Sequence, residues 1–130
     1  MKKNPKEIAS LFFSEMSDWE RWSLSLERNE LSDKARLNKL NEIFKKYLSK
    51  KALEKGQSRC EILMFGEPPE YELQITKVEE LSDKKQYVYA QGDGWEPEKR
   101  YVFSSEDNEW RIEYREYLGS SGKWIKERDL

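Results

Sequence analysis

The side chains that could do chemistry in this chain are carboxylates, phenols and one thiol, because the sequence contains no histidine. Without an imidazole the chain lacks the commonest general base and the usual nitrogen ligand of zinc. Cys60 is the single cysteine and has no second thiol for metal or redox work, so it is expected to be a small buried side chain. These residue types predict no metal, no cofactor and no catalytic triad.

Pairs of acidic residues are the remaining catalytic option, since two carboxylates can hydrolyse a glycosidic bond. The sequence offers Glu67 with Glu70, and Glu79 with Glu80. With 26 acidic residues among 130, however, close pairs arise by chance. We therefore expect these acids to lie on solvated surfaces or loops, and the sequence predicts no catalytic residue.

The charge pattern does not favour a direct contact with nucleic acid or membrane. The chain has 24 basic and 26 acidic residues, so its net charge of −2 gives no general attraction to phosphate or anionic lipid. Gly92-Asp93-Gly94 is followed by Trp95 and not by a helix, which predicts a turn and not a phosphate-binding loop. The lysines near the end of the second predicted helix are expected to stabilise its negative end.

Two amphipathic helices are predicted in the first half of the chain. Asn4 can cap the first helix, with Pro5 at its first position, and the helix is predicted to end at residues 28–30. It is either continuous, with a slight bend allowed, or broken at Ser17, where a second capping box occurs. Ser32 is predicted to cap the second helix, whose apolar stripe consists of Leu37, Leu40, Phe44 and Tyr47.

In the second half of the chain, apolar and charged residues alternate with a period of two. This pattern predicts an antiparallel sheet with one face exposed to solvent. In residues 110–115, Trp110, Ile112 and Tyr114 are expected to share one face, opposite the alternating charged residues. The phase of the alternation slips near Thr76, which predicts a β-bulge, and the polar run 104–108 predicts a hairpin turn. The predicted strands are 60–65, 71–81, 86–90, 100–103, 110–115 and 123–126.

Helices followed by strands predict a single α+β domain over residues 1–130. The amino-terminal helices are expected to pack on a strongly curved antiparallel sheet, in a cone that can hold a pocket between helix and sheet. No apolar run is long enough for a secretory signal or a membrane span. A cytoplasmic location is therefore expected, and the single cysteine suits it.

Several strings, in their order and spacing, are similar to one protein family: residues 40–47, 65–71, 84–89 and 109–112. Together they resemble the immunity proteins of bacterial polymorphic toxin systems that have the nuclear-transport-factor-2-like fold. The resemblance covers residues 37 to 116. It implies a cone-shaped, cystatin-like sheet, a non-enzymatic role and a cytoplasmic partner, which is the toxic domain of a cognate effector.

An immunity protein of this kind would block its toxin by occupying the toxin's surface, with contacts from loops, where recognition usually resides. Trp95 lies in a Gly/Asp/Pro loop, where a purely structural tryptophan is less expected. Acidic contact residues would also speed encounter with a basic toxin such as a nuclease. The predicted partner-binding residues are Trp95, Asp93, Glu96, Glu67, Glu70 and Tyr71.

Two other functions stay open at this stage. One is a small-molecule-binding or catalytic member of the same fold, isomerase-like or dehydratase-like, which would use tyrosine hydroxyls and an acid in the cone. It requires polar side chains that point into an otherwise apolar cavity. The other is a homodimer whose sheets pack face to face, with Tyr87 and Tyr89, or Tyr117, on the exposed side.

Overall fold

In a computed structural model that describes residues 3–27, 29–54, 71–92 and 97–127, two long helices precede a five-stranded sheet, and residues 50–54 are also helical. The strands are antiparallel and lie in the order β1-β2-β3-β4-β5. This arrangement confirms the predicted α+β class. The elements are α1 (Pro5–Ser25), α2 (Glu30–Tyr47), β1 (Leu73–Ser82), β2 (Lys85–Gly92), β3 (Lys99–Glu106), β4 (Glu109–Leu118) and β5 (Trp124–Lys126).

Helix α1 begins as predicted, because the Asn4 side chain accepts a hydrogen bond from the backbone N–H of Glu7 at 2.9 Å. The alternative break at Ser17 does not occur. Met16 and Trp19 are both buried on either side of that position, so the apolar face continues through it and packs on the core. The helix ends at Ser25, one turn earlier than predicted.

Helix α2 begins one turn earlier than predicted, since its cap is Asn29 and not Ser32. The Asn29 side chain accepts from the N–H of Ser32 at 2.9 Å, and the Ser32 hydroxyl accepts from the N–H of Asn29 at 3.1 Å. Ser32 is therefore the reciprocal partner in a capping box. Asparagine and serine are both common N-cap residues, so residue type alone does not decide between Asn29 and Ser32. The reciprocal hydrogen bonds of the capping box identify Asn29 as the N-cap.

Strand β1 contains the predicted bulge. Ile75 pairs with Ala90 and Lys77 pairs with Tyr89, so Thr76 is the extra residue that corrects the alternation. A second register shift follows between Glu80 and Ser82. The predicted strand 60–65 and the loop 66–70 lie outside the described residues.

Strand β4 contains a bulge that the alternation did not predict. Phe103 pairs with Ile112 but Val102 pairs with Tyr114, so Glu113 is inserted between the two pairs. The insertion turns Tyr114 away from the core and Arg115 towards it. The prediction that Tyr114 shares a face with Trp110 and Ile112, opposite Arg115, is therefore wrong.

The core lies between the helices and the inner face of the sheet and contains many aromatic side chains. Phe12 packs edge to face against Tyr71 at a ring-centroid distance of 5.6 Å, and Phe13 packs similarly against Tyr101 at 4.9 Å. The chain after α2 joins the edge of β4, where Leu48 and Ile112 form an isolated bridge. Among the described helices, none is long and apolar enough to cross a membrane.

Candidate protein-interaction surface

The structure describes one of the six predicted partner-binding residues. Trp95, Asp93, Glu96, Glu67 and Glu70 lie outside the described residues. The sixth, Tyr71, is only 1% exposed, and its backbone N–H donates to the Glu20 carboxylate at 2.9 Å. The Tyr71 side chain thus contributes to the packing between helix and sheet, and the partner-binding role of the set stays a prediction.

The sheet has two faces of different character. Helix α1 covers the inner face, whereas no helix of the described chain packs on the outer face. Long side chains on the outer face cover one another instead, and Val102 lies fully buried beneath them. We call this group the outer-face cluster; its members are Tyr87, Tyr89, Arg100, Tyr114, Glu116 and Trp124.

Strand register brings these residues together. Tyr89 pairs with Arg100, and Arg100 pairs with Glu116 on its other side. The neighbouring pairs on the same face place Tyr87 and Tyr114 on either side of Val102. The bulge at Glu113 is essential for this arrangement, because a regular β4 with the register of its first half would turn Tyr114 and Glu116 to the inner face.

Arg100 is the centre of the cluster. Its guanidinium carbon lies 4.1 Å from the ring centroid of Tyr87 and 4.4 Å from that of Trp124, so the cation lies against two aromatic rings. Its Nε donates to the Glu116 carboxylate at 2.7 Å, and its Nη1 donates to the Tyr89 hydroxyl at 3.4 Å. Cation–π contacts contribute about 0.5–2 kcal/mol each. The Arg100 side chain is therefore held in one position.

The charges around Arg100 keep it protonated. Burial lowers the pKa of Arg100, but the hydrogen bonds with Glu116 and Tyr89 raise it more, and the net shift is upward. The Tyr89 hydroxyl also donates to Glu79 at 2.9 Å. Burial, and then Glu79, raise the pKa of Tyr89 against the opposing effect of Arg100. The hydroxyl stays neutral and remains a donor at physiological pH.

Two lysines flank the cluster over its aromatic rings. Lys77 Nζ lies 5.1 Å from the ring centroid of Tyr89 and 3.7 Å from the Glu79 carboxylate. Lys126 Nζ lies 4.3 Å from the ring centroid of Tyr114. Burial, followed by nearby Glu116, raises the pKa of Tyr114. The outer face therefore combines fixed aromatic rings with three cationic side chains.

These residue types are suited to the recognition of a partner. Tyrosine, tryptophan and arginine are the residue types that concentrate binding energy in protein interfaces. Side chains that are already fixed lose little conformational entropy when a partner binds. The sequence predicted an exposed side with Tyr87 and Tyr89; both lie on the outer face, but Tyr89 is only 8% exposed, because Trp124 and Lys77 pack against its ring. Arg100 was not predicted, because its aromatic contacts depend on strand register and on the short strand β5.

Polar groups also occur inside the cone. Arg115 is buried, and its Nη1 donates to the hydroxyls of Tyr71 at 3.1 Å and Tyr101 at 3.3 Å. Arg115 also forms an ion pair with Glu127, whose carboxylate lies 3.5 Å from Lys99 Nζ. These groups of the chain satisfy one another, so the arrangement is typical of a structural polar network.

Two of the surface depressions lie next to the core. A groove of about 490 Å³ runs between α1 and β1, lined by residues such as Lys6, Ser10, Phe13 and Arg21. A pocket of about 370 Å³ lies where Ile8, Tyr47 and Trp110 meet. Within the described ranges, no group of three acidic or cysteine side chains could hold a metal ion.

The helices, the curved antiparallel sheet and the aromatic core define an α+β protein of the nuclear-transport-factor-2-like kind. The sequence model of a family described as NTF2 fold immunity protein matches residues 4–128. The chain therefore belongs to the NTF2 fold immunity protein family, which confirms the resemblance. Searches of curated proteins and of solved structures gave no significant match.

Proposed function

We propose that this protein is the antitoxin of a bacterial polymorphic toxin system. It binds the toxic domain of a cognate effector in the cytoplasm and blocks that domain by steric occlusion. The observation that carries the proposal is the family match over residues 4–128, because the family is described as one of immunity proteins. A protein that works by occupying a surface needs no catalytic side chains, which agrees with a sequence without histidine.

The outer face of the sheet supports this proposal. It presents fixed aromatic and arginine side chains, the combination found at the centres of protein interfaces. An inhibitor of this size would bury about 1,600 Å² of total surface with its toxin. The acidic loop residues predicted from the sequence would add contacts with a basic toxin such as a nuclease.

Co-expression tests the proposal. The toxic domain encoded next to this gene is expressed in a bacterial host with and without this protein. We expect the protein to restore growth and to co-purify with the toxic domain as a stable complex. Failure of both growth rescue and complex formation would contradict the proposed function.

A second measurement separates occlusion from enzymatic inactivation. The complex is denatured, the two chains are separated, and the refolded toxic domain is assayed. Occlusion predicts an unchanged mass and full recovery of toxic activity. A covalently altered toxic domain would show instead that the protein acts as an enzyme on its partner.

A further inference from the structure

We infer that the edge of strand β1 receives an extended segment of the toxic domain, which adds to the sheet as a further strand. The segment lies in the groove between α1 and β1 and pairs through its backbone with residues 73–75. The inference rests on the proposed function and assigns part of the contact to this groove. It depends on the edge of β1, the hydroxyl groups of the facing helix and the shape of the groove.

Strand β1 is an edge strand in the described part of the chain. It pairs with β2 on one side, and among the described residues no strand pairs with its other side. Every second residue of such a strand directs its backbone N–H and C=O away from the sheet. These groups can pair with an incoming strand, a mode of recognition known as β-augmentation.

The bulge at Thr76 limits this pairing to the start of β1. Residues 73–75 before it are in regular register with β2, whereas residues 77–80 after it include three charged side chains and precede a second register shift. Bulges and charged residues are features by which edge strands resist pairing. Residues 73–75 contain neither, so they form the part of the edge that can accept a strand.

Helix α1 forms the opposite wall of the groove with three serines, Ser10, Ser14 and Ser17. Among the described residues, none of the three hydroxyls has a hydrogen-bond partner. Ser17 is only 9% exposed, yet its Oγ keeps contact with solvent, unlike Ser23 Oγ, which is enclosed without a partner. A strand between β1 and α1 has backbone groups on both of its edges, and each buried group needs a partner. The serine hydroxyls can supply these partners on the helix side.

The shape and lining of the groove suit an extended chain. Its length along α1, from Lys6 to Arg21, is about 22 Å, which matches about six residues of a strand. Its deeper lining is apolar, because Phe13 is buried and Leu73 and Ile75 pack against the core. Every second side chain of the segment should therefore be apolar. The α1 wall is open to solvent, whereas a small-molecule site usually encloses its ligand.

A second copy of this chain is a poorer occupant than the toxic domain. Strand β1 of a second copy has one edge to offer, because β2 occupies the other, so it cannot pair with β1 and with the serines at the same time. Pairing restricted to residues 73–75 of each chain would also bury far less than the roughly 1,200–2,000 Å² of a stable interface. An extended loop or terminus of the toxic domain has both of its edges free.

Hydrogen–deuterium exchange tests the backbone pairing. The amides of residues 73–75 are followed by NMR in the free protein and in its complex with the purified, catalytically inactivated toxic domain. We expect at least one of them to exchange rapidly in the free protein and to slow by about tenfold or more in the complex, because a new hydrogen bond protects it. The amide of Asp83, in the turn after β1, should not change.

A bulky side chain in the groove should prevent binding. Ser14→Trp places an indole at an exposed position of the α1 wall, where it occupies the space of the segment. We expect titration calorimetry to show binding that is weaker by about 30-fold or more. Ser25→Trp is the matched control, because Ser25 is also exposed on α1 but does not line the groove, and it should leave the Kd unchanged. Circular dichroism and thermal unfolding verify that both variants are folded.

A smaller change, Ser17→Ala, separates recognition from a structural role. The Ser17 hydroxyl has no partner within the described chain, and alanine favours a helix, so the melting temperature should stay the same or rise. Binding should weaken by about fivefold, because a backbone group of the segment loses its partner. A structural role of the hydroxyl predicts the opposite result, which is a lower melting temperature with unchanged binding.

The outcomes separate this inference from the proposed function. If the wild-type chain binds the toxic domain, but Ser14→Trp and Ser17→Ala bind as tightly and the amides of residues 73–75 exchange as in the free protein, the inference is wrong and the proposed function stands. If the wild-type chain does not bind, both are wrong. Protection of these amides already in the free protein, or a homodimer that Ser14→Trp dissociates, would assign the edge to another occupant and overturn the inference.

Discussion

Arg36 in α2 donates from Nε and Nη2 to the carbonyl oxygen of Ser23, in the last turn of α1, at 3.1 and 2.8 Å. The same guanidinium donates to the carbonyl oxygen of Leu26 at 2.9 Å and pairs with Asp33 at 2.7 Å. Backbone carbonyls at the end of a helix have no partner within the helix. A side chain of α2 thus supplies the missing donors for α1 and fixes the two helices together.

Replacement of Arg36 should be strongly destabilising. Arg36→Met leaves the Ser23 carbonyl with only the N–H of Leu26, at 3.3 Å, and removes the side-chain donor to the Leu26 carbonyl, at a site where Arg36 is only 2% exposed. We expect a loss of about 3 kcal/mol in the free energy of unfolding, measured by urea denaturation. Arg36→Lys should recover only part of this loss, since an ammonium group lacks the planar fork.

The control for this experiment is Arg21→Met, which removes an exposed ion pair with Asp18 at 2.7 Å. Exposed pairs contribute little, so the change should stay within about 0.5 kcal/mol. Equal effects of the two substitutions would show that Arg36 does not join the helices in the way described.

The ion pair of Arg115 with Glu127 should be the second sensitive point. Glu127→Ala removes the carboxylate that faces Arg115 and Lys99, and leaves two cations close together near the core. We expect a loss of about 2–4 kcal/mol in the free energy of unfolding. Glu72→Ala is the control, because Glu72 is half exposed and lies 3.9 Å from Arg21. A loss no larger than that of the control would contradict a structural role for the pair.

The hairpin between β3 and β4 makes a prediction about backbone conformation. Asp107 and Asn108 have φ angles of 51° and 64°, the left-handed region that a two-residue hairpin turn requires. Asn108→Val should destabilise the protein by about 1–2 kcal/mol, because a β-branched residue is strained there. Asn108→Gly should be neutral or stabilising. Thermal unfolding measures both, and equal melting temperatures for the two variants would exclude strain at this turn.

The periodic features of the fold could be predicted from the sequence, because a buried face imposes a period on the residues that form it. The apolar stripe of α2, the bulge at Thr76 and the strand at Trp124 were recovered in this way. The bulge at Glu113 was not, since Ile112 and Tyr114 are both large and apolar enough for the core. The sequence therefore fits a regular strand equally well whether Tyr114 faces the core or Glu113 is a bulge.

The candidate site was harder to predict, because it depends on contacts between distant segments. An arginine in a strand normally indicates a solvated position. Arg115 is buried because Tyr71, Tyr101 and Glu127 meet it from three other parts of the chain. In the same way, Arg100 lies between aromatic rings of β2 and β5, whose order in the sheet the sequence does not specify.

The contact of Tyr47 with Glu15 makes stability depend on pH in the alkaline range. The Tyr47 hydroxyl donates to the Glu15 carboxylate, which also pairs with Lys46 at 2.5 Å. Burial, and then the bond and the charge of Glu15, raise the pKa of Tyr47 well above its ordinary value of 10.0. The native state therefore holds the phenolic proton more tightly than the unfolded chain does.

The sign of the effect follows from that difference. Tyr47 contributes its full stabilisation below the unfolded pKa of 10.0, and the contribution is lost as the pH rises from there towards the native pKa. We expect the difference in unfolding free energy between the wild-type protein and Tyr47→Phe to be constant from about pH 6 to pH 9 and to shrink above about pH 10. Urea denaturation at each pH measures it, and a difference that stays constant or grows above pH 10 would show that Glu15 does not hold the Tyr47 proton.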